Sequence, residues 1–355
     1  MKTIPKLLLP LLLLSLSANA IIMRHDKEPQ QYETSAKQYP SVVNLQFLMG
    51  TLIAPQWIVT AAHGTPLMPG GQNVRINGDT YKVEKIIVHP EYAPRNRPIE
   101  TQQDHDIALL KLDRPVKNID VTPPYSQQNE ATQKVWLVGN GYIGNGRDGI
   151  TGATDGLLHA QNVIDNTDDK WLTFDFDSPE HQALSLEGVS GPGDSGGPAF
   201  IRRGKQLFLA GVSSHQFDNE AGLPNVYGVT ERYTRVSTHT SWIEETMTLR
   251  NEGLDKVAVN RPQFTKTTAN ETELQALVGT YDVENLPPLT IEPCQQTLCY
   301  RWQGQPNTTI LQRADKDLWF TPSLNRSLDV IRNKHGEVEK LYFNGYQGNK
   351  YAIKR

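Results

Sequence analysis

The sequence is most informative at residues 191–198, which read Gly-Pro-Gly-Asp-Ser-Gly-Gly-Pro. A segment this rich in glycine and proline adopts backbone conformations that most side chains forbid. If the amides of Gly193 and Ser195 point to one spot beside the Ser195 hydroxyl, they can hold the negative oxygen formed when a carbonyl is attacked. Ser195 is therefore a candidate nucleophile. Taken alone, the loop could equally be a surface turn, because glycine, proline, aspartate and serine are common turn residues.

Two upstream segments decide between these readings. Residues 50–63 end in Thr-Ala-Ala-His, and residues 104–112 read Asp-His-Asp-Ile-Ala-Leu-Leu-Lys-Leu. Together with the serine loop, in the order His, Asp, Ser, they resemble the chymotrypsin/trypsin family of serine proteases over roughly residues 21–250. The resemblance implies a mostly β fold of two six-stranded antiparallel barrels followed by a C-terminal helix.

The resemblance assigns a catalytic triad to His63, Asp106 and Ser195. Asp104 and Asp106 both lie in the second segment, and the family pattern places the catalytic aspartate directly before Ile-Ala-Leu-Leu, which favours Asp106. In this family the aspartate orients the imidazole, which takes the serine proton, and the serine-loop amides, here those of Gly193 and Ser195, bind the oxyanion. Water then hydrolyses the acyl-enzyme, so no cofactor is expected.

Residues 1–20 have the composition of a secretory signal peptide. Lys2 and Lys6 precede a short apolar run, and Ala-Asn-Ala at positions 18–20 predicts cleavage after Ala20. The run is too short to span a bilayer. A secreted or periplasmic protein without a stable membrane span is therefore predicted.

Cleavage after Ala20 would leave Ile21 at the N-terminus. In the family, such a freed apolar N-terminus folds inward and its ammonium pairs with the aspartate before the catalytic serine, here Asp194. Because a buried carboxylate without a partner is costly, signal-peptide removal itself is predicted to activate the enzyme. The alternative is a frayed N-terminal segment with Asp194 hydrogen-bonded locally.

The specificity pocket is predicted from three positions. The residue six before the serine forms the pocket floor in the family, and here it is Val189, which cannot pair with a basic side chain. A preference for small or medium apolar side chains over Arg/Lys is therefore expected. Ser214 falls on the serine that supports the triad and binds the substrate backbone. Depending on which of two tyrosines is matched to the family, either Asn225 or Glu231 lies on the pocket wall. The match to Tyr233 is preferred and gives Glu231, whose carboxylate still allows basic substrates.

The chain is longer than one such protease. Its 355 residues predict a signal peptide (1–20), a protease domain (21–250), a linker (251–268) and a small β-rich domain (269–355) with several short strands. The formal net charge of −4 gives no support for nucleic acid or anionic membrane partners. Polypeptide substrates are the expected partners, and target or surface binding by the C-terminal domain is left open.

The chain has only two cysteines, Cys294 and Cys299, which predict a local disulfide strapping a hairpin of the C-terminal domain. Gly64 and Gly191 stand where the family usually has cysteine, so the protease resembles a disulfide-poor, bacterial member. No cysteine and histidine cluster in the C-terminal domain has metal-ligand spacing, and no metal is expected.

Two functions fit these features. The first is a secreted serine endopeptidase, and the second is a catalytically inactive binding protein on a protease scaffold. The chain keeps the complete triad and the oxyanion glycine, which favours the enzyme.

Overall fold

The computed structural model describes residues 21–46, 48–93, 101, 103–153, 156–259, 264–283, 286–305, 308–322, 326–344 and 350–355. The predicted signal peptide, residues 1–20, lies outside them. No helix among the described residues has the length and apolar character needed to cross a membrane.

Among its described residues, the first part of the protease has the strands β1 (Ile22–Met23), β2 (Glu33–Thr34), β3 (Val42–Asn44), β4 (Met49–Ala54), β5 (Trp57–Thr60), β6 (Asn73–Ile76), β7 (Asp79–Val88) and β8 (Ala108–Leu112). Short 3₁₀ helices lie at Pro29–Tyr32 and Ala62–Leu67. Strands β3 to β8 form a six-stranded antiparallel sheet in the order β3-β4-β5-β8-β7-β6. Its interior is filled by buried aliphatic side chains such as Leu52, Ile58 and Leu110.

Strand pairing in this first barrel already brings two functional segments together. Strands β5 and β8 are neighbours, with Thr60 opposite Ala108. The segment just after β5 carries His63, and the residue two before Ala108 is Asp106. Because the strands run antiparallel, the end of one lies beside the start of the other.

In the second part of the protease, the described residues form the strands β9 (Lys134–Gly139), β10 (Tyr142–Asn145), β11 (Gly149–Ala153), β12 (Leu157–Val163), β13 (Asn166–Thr167), β14 (Trp171–Asp175), β15 (Gly188–Val189), β16 (Pro198–Arg203), β17 (Gln206–Phe217) and β18 (Thr230–Arg235). Further 3₁₀ helices lie at Pro179–His181 and Val236–Thr238, and helix α1 spans Thr240–Thr248. The main sheet has the order β13-β14-β18-β17-β16-β9-β12-β2. Strands β12 and β14 are not neighbours in this order, yet a hydrogen bond joins them: Asn162 Nδ2 of β12 donates to Asp175 O of β14 (3.0 Å). The mostly β double barrel and the C-terminal helix expected from the sequence are confirmed.

A small four-stranded sheet, β11-β10-β1-β15, holds the start of the described chain. Ile22 of β1 pairs in parallel with Gly144 and antiparallel with Val189. Ile21 and Ile22 are both fully buried, so the alternative of a frayed segment is not what the structure shows.

The structure departs from the predicted linker at residues 251–257. These residues form helix α2 (Asn251–Val257), whose Leu254 is buried in the protease core. Asp255 pairs with Lys85 of β7, and Val259 N donates to Ile86 O (2.7 Å). A single buried leucine gives too little periodicity to be read from the sequence, although it is enough to anchor two turns of helix.

The C-terminal unit, predicted as a small β-rich domain, is a closed antiparallel barrel. Its strands are β19 (Gly279–Val283), β20 (Leu289–Cys294), β21 (Thr297–Trp302), β22 (Thr309–Asp315), β23 (Leu318–Thr321), β24 (Arg326–Arg332), β25 (Val338–Asn344) and β26 (Lys350–Lys354). Helix α3 (Glu271–Leu277) precedes it and begins with a capping box between Asn270 and Glu273. The Cys294–Cys299 disulfide joins β20 to β21, as predicted.

The two positions where the family resemblance implies cysteine, Gly64 and Gly191, are closely packed. A Cβ atom on Gly64 would lie 2.0 Å from Leu48 Cδ2, so the leucine occupies the space that a second side chain would need. A Cβ atom on Gly191 would lie 2.6 Å from Tyr142 O. Both glycines are therefore required by their close neighbours.

Candidate active site

His63, Asp106 and Ser195 lie in one line of hydrogen bonds. His63 Nδ1 is 2.7 Å from Asp106 Oδ2, and His63 Nε2 is 2.9 Å from Ser195 Oγ. The first two residues come from the first barrel, and Ser195 comes from the loop between β15 and β16 of the second. The arrangement can move a proton from the hydroxyl to the imidazole while the carboxylate holds the ring.

Asp106 is fully buried and surrounded by donors. His63 N donates to Oδ1 (2.8 Å), while Ser214 Oγ (2.6 Å) and Gln103 Nε2 (3.3 Å) donate to Oδ2. Burial alone would raise the pKa of Asp106. The charge and hydrogen bonds of His63, together with the Ser214 hydroxyl, outweigh burial and lower the pKa below its ordinary value. Asp106 is thus held as a carboxylate.

The neighbouring carboxylate has a different partner. Asp104 accepts from Lys170 Nζ at 2.5 Å and is only 7% exposed. Of the two candidates, the structure brings Asp106 and not Asp104 to His63.

The serine loop leaves two amides available. Gly193 has φ of +99°, a conformation that favours glycine. Among the described residues, neither Gly193 N nor Ser195 N donates to an acceptor of the protein. Both residues line the cavity beside the Ser195 hydroxyl. These amides are therefore free to donate to an oxyanion.

Asp194 lies behind the serine loop and is 1% exposed. Its carboxylate accepts from four backbone amides, those of Ile21 (3.2 Å), Asn140, Gly141 and Gly191 (2.9 Å each). Burial raises the pKa of Asp194 to about 6, and these hydrogen bonds act in the opposite direction. The nitrogen that cleavage after Ala20 would convert into an ammonium thus lies at the carboxylate.

A cavity of about 350 Å³ opens beside Ser195. Its lining is largely polar and includes Ser190, Ser213, Ser214, Asp218, Asn225 and Glu231. Both alternatives for the pocket wall, Asn225 and Glu231, therefore contribute to it. Ser214 also lines it, with its hydroxyl turned to Asp106.

Glu231 is the buried acid of this cavity, 2% exposed. Its Oε2 accepts from Ser190 N (2.9 Å), and its Oε1 accepts from the Ser190 hydroxyl. Burial raises the pKa of Glu231 to about 8, only partly opposed by the two Ser190 bonds, and the negative charge of Asp194 adds to the rise. Burial without a neighbouring positive charge thus favours the neutral form of the Glu231 carboxyl group.

The expectation that Val189 forms the pocket floor is wrong. Val189 is fully buried in a separate cluster with Ile22, Phe176 and Val229, and does not line the cavity. Its neighbour Ser190 does. Successive residues of an extended chain point to opposite sides, so a shift of one position exchanges an apolar floor for a polar one.

Sequence reasoning also missed a cluster of three histidines next to the triad. The ligand atoms of His89, His105 and His239 lie within 4.8 Å of one another. Burial and the neighbouring His239 and His105 lower the pKa of His89 to about 4. These positions are far apart in sequence, and nothing in their local spacing could have shown the cluster.

Enzymes that align a carboxylate, an imidazole and a serine hydroxyl where two antiparallel barrels meet form one class, the serine endopeptidases, and this chain is one of them. The family model described as Trypsin matches residues 29–243, more than half of the chain, and the chain belongs to that family. The C-terminal barrel lies outside the matched range.

Individual relatives agree. Serine protease 28 of Mus musculus is 27% identical over 239 residues, covering 60% of this chain and 83% of that protein. Coagulation factor IX of Oryctolagus cuniculus is 31% identical over 210 residues (55% and 74%). Coagulation factor IX of Cavia porcellus is 32% identical over 213 residues (55% and 71%).

Proposed function

We propose that the protein is an exported serine endopeptidase that cleaves after basic side chains and becomes active when Ile21 becomes the N-terminus. The observation that carries the catalytic part is the continuous hydrogen-bond line from Asp106 through His63 to Ser195.

The catalytic cycle follows from these three residues. Ser195 Oγ attacks the scissile carbonyl, and its proton passes to His63 Nε2. The carbonyl oxygen becomes an anion that accepts from the Gly193 and Ser195 amides. The C–N bond then breaks, His63 returns the proton to the leaving amine, and water repeats the sequence on the acyl-enzyme. Asp106 stabilises the imidazolium throughout.

Labelling with a fluorophosphonate probe tests the catalytic part. The protein beginning at Ile21 is expected to react at Ser195, and Ser195→Ala and His63→Ala to lose the label. Ser185→Ala, at an exposed serine, is the matched control and keeps it. A folded protein that resists labelling would instead support the inactive binding protein.

The preference for basic side chains rests on the cavity lining. Glu231 and Asp218 both line the cavity, and Glu231 accepts hydrogen bonds only from Ser190 among the described residues. A guanidinium or ammonium group of the substrate would supply the missing donors and favour the carboxylate form. Because Val189 is turned away, the apolar preference expected from the sequence loses its basis.

Two matched peptides that differ only in arginine or glutamine before the cleaved bond test this preference. The wild type is expected to favour the arginine peptide in kcat/KM by about 10²-fold or more, since a buried charge without a partner is costly. Glu231→Gln is expected to remove most of this difference. A wild type that prefers an apolar residue at this position contradicts the proposal.

Export and activation rest on the N-terminal segment. The sequence up to Ala20 resembles a signal peptide, a disulfide is present, and Ile21 N lies 3.2 Å from Asp194 Oδ2. The ammonium left after cleavage would pair there and hold the serine loop. A protein that begins at Ile21 should have a kcat at least tenfold higher than one that carries a glycine before Ile21. Equal turnover would contradict activation by cleavage.

A further inference from the structure

The cluster of His89, His105 and His239 joins three separate parts of the protease. His89 directly follows β7, His105 directly precedes Asp106, and His239 caps the start of α1. His239 is 3% exposed and His89 is 9% exposed. None of the three rings contributes to the hydrogen bonds of the triad described above.

We propose that His89, His105 and His239 bind one divalent transition-metal ion, with Zn²⁺ as the best fit. Neutral imidazole nitrogens are preferred zinc ligands, and three of them with an open fourth position form a common zinc site. Zinc–nitrogen bonds of about 2.0–2.1 Å place two ligands of a tetrahedral site about 3.3 Å apart. His105 Nδ1 and His239 Nε2 are already 3.0 Å apart.

His239 is prepared for this role by the backbone. Its Nδ1 is 2.7 Å from Arg235 O, and a carbonyl oxygen can only accept, so Nδ1 carries the proton. The lone pair is then on Nε2, the atom that faces His105. A ring nitrogen bonded to a backbone carbonyl is the usual support of a metal-bound histidine.

His105 has the exposed carboxylate of Glu91 near its other ring nitrogen, at a distance longer than a hydrogen bond. Its Nε2 lies 3.6 Å from Glu91 Oε2, while its Nδ1 faces His239. Binding of a metal at Nδ1 requires the neutral tautomer of His105, in which the ring proton moves from Nδ1 to Nε2 and points toward Glu91. Carboxylate, histidine and metal then form the arrangement seen around many zinc ions.

His89 must move the most. Its ring stacks on His105 at 4.9 Å and packs edge-on against Trp242 at 4.8 Å. Its Nδ1 accepts a long 3.3 Å bond from Glu91 N, which is given up whichever ring nitrogen binds the metal. The widest separation of ligand atoms, 4.8 Å, must close by about 1.5 Å, which side-chain rotation can supply. Water would complete the coordination.

The site would connect the end of β7, the segment before Asp106 and helix α1. Metal binding to the folded state alone raises the thermal midpoint by mass action. This departs from the sequence expectation of no metal, because the three ligands come from distant positions.

Titration of metal-free, full-length Ser195→Ala protein, which cannot digest itself, tests the proposal. Cobalt(II) is expected to give visible absorption bands that saturate at one ion per chain, and Zn²⁺ is expected to displace it and raise the thermal midpoint. His105→Asn and His239→Gln should each weaken binding at least tenfold. Asparagine suits position 105 because φ there is +54°.

Two controls separate this site from others. In the same background, His181→Gln, at an exposed histidine outside the cluster, should bind as tightly as the parent. His63→Ala should also keep binding, which separates the cluster from the triad. Circular dichroism checks folding, and if His239→Gln does not fold, His105→Asn decides. Absent binding, binding unchanged in the cluster variants, or binding lost only in His63→Ala overturns the proposal.

Discussion

The candidate active site contains two buried carboxylates, those of Asp106 and Glu231, and their surroundings differ. Asp106 is 0% exposed and accepts from His63, Ser214 and Gln103. Glu231 is 2% exposed and accepts only from Ser190 among the described residues. The pKa of Asp106 is lowered, whereas burial raises the pKa of Glu231 to about 8.

Burial therefore does not decide ionisation by itself. The number of donors and the nearby positive charge decide it, because both stabilise the charged form. The protein itself supplies the donors and the positive charge that keep Asp106 ionised before substrate binds. Glu231 has fewer donors and no positive partner among the described residues, and we infer that the substrate supplies that partner.

The largest expected effect comes from removing the charge of Asp106. Asp106→Asn should lower kcat about 10⁴-fold, a magnitude carried over from the same change in this family, because the imidazole loses its orientation and its counter-charge. Steady-state kinetics on a peptide measure it. Asp104→Asn is the matched control and should stay within tenfold, since Asp104 pairs with Lys170. Similar losses of kcat in both variants would contradict the assignment of Asp106, rather than Asp104, to the triad.

A smaller effect is expected in the pH dependence with which a small cation binds beside Glu231. Benzamidine, an aryl amidine, should bind more tightly as pH rises from 6 to 8, by more than tenfold, because the fraction of Glu231 carboxylate grows until pH passes its pKa of about 8. Above that pH the affinity should level off. Inhibition constants measured across this range provide the test.

Glu231→Gln is the control for the amidine titration. It should bind benzamidine about 10²-fold more weakly at pH 8 and with little dependence on pH. A pH dependence that survives in this variant would assign the titration to another group, such as His63.

The smallest expected effect comes from removing one donor at a time. Ser214→Ala should lower kcat/KM about tenfold, because a hydrogen bond to a charged group contributes about 1.5–3 kcal/mol and Asp106 keeps its other donors. Ser190→Ala should instead raise the pKa of Glu231 further and shift the benzamidine titration to higher pH. If Ser190→Ala left that titration unchanged, its hydroxyl would not be the donor that matters.

The sequence predicts most of the catalytic geometry because each triad residue sits in a local motif attached to a recognisable strand. His63 follows β5 and Asp106 precedes β8, so strand pairing brings them together. The pocket is harder to predict. Val189 and Ser190 are adjacent, and one position decides which of them faces the cavity.

Other features escaped the sequence for the same physical reason. The histidine cluster depends on contacts between residues far apart in the chain, and periodicity contains no signal for it. Helix α2 has one buried side chain, Leu254, and its other residues are exposed or half-buried. Long-range packing, rather than local propensity, placed both.

The contact of Leu48 with Gly64 has a consequence for recovery after denaturation. Where relatives have cysteine, this protease has only non-covalent packing, and both cysteines of the chain lie in the C-terminal barrel. Thiol exchange takes seconds to hours and allows mispaired intermediates. The catalytic unit needs no such oxidation, so its refolding rate after dilution from urea should be the same with or without a redox buffer.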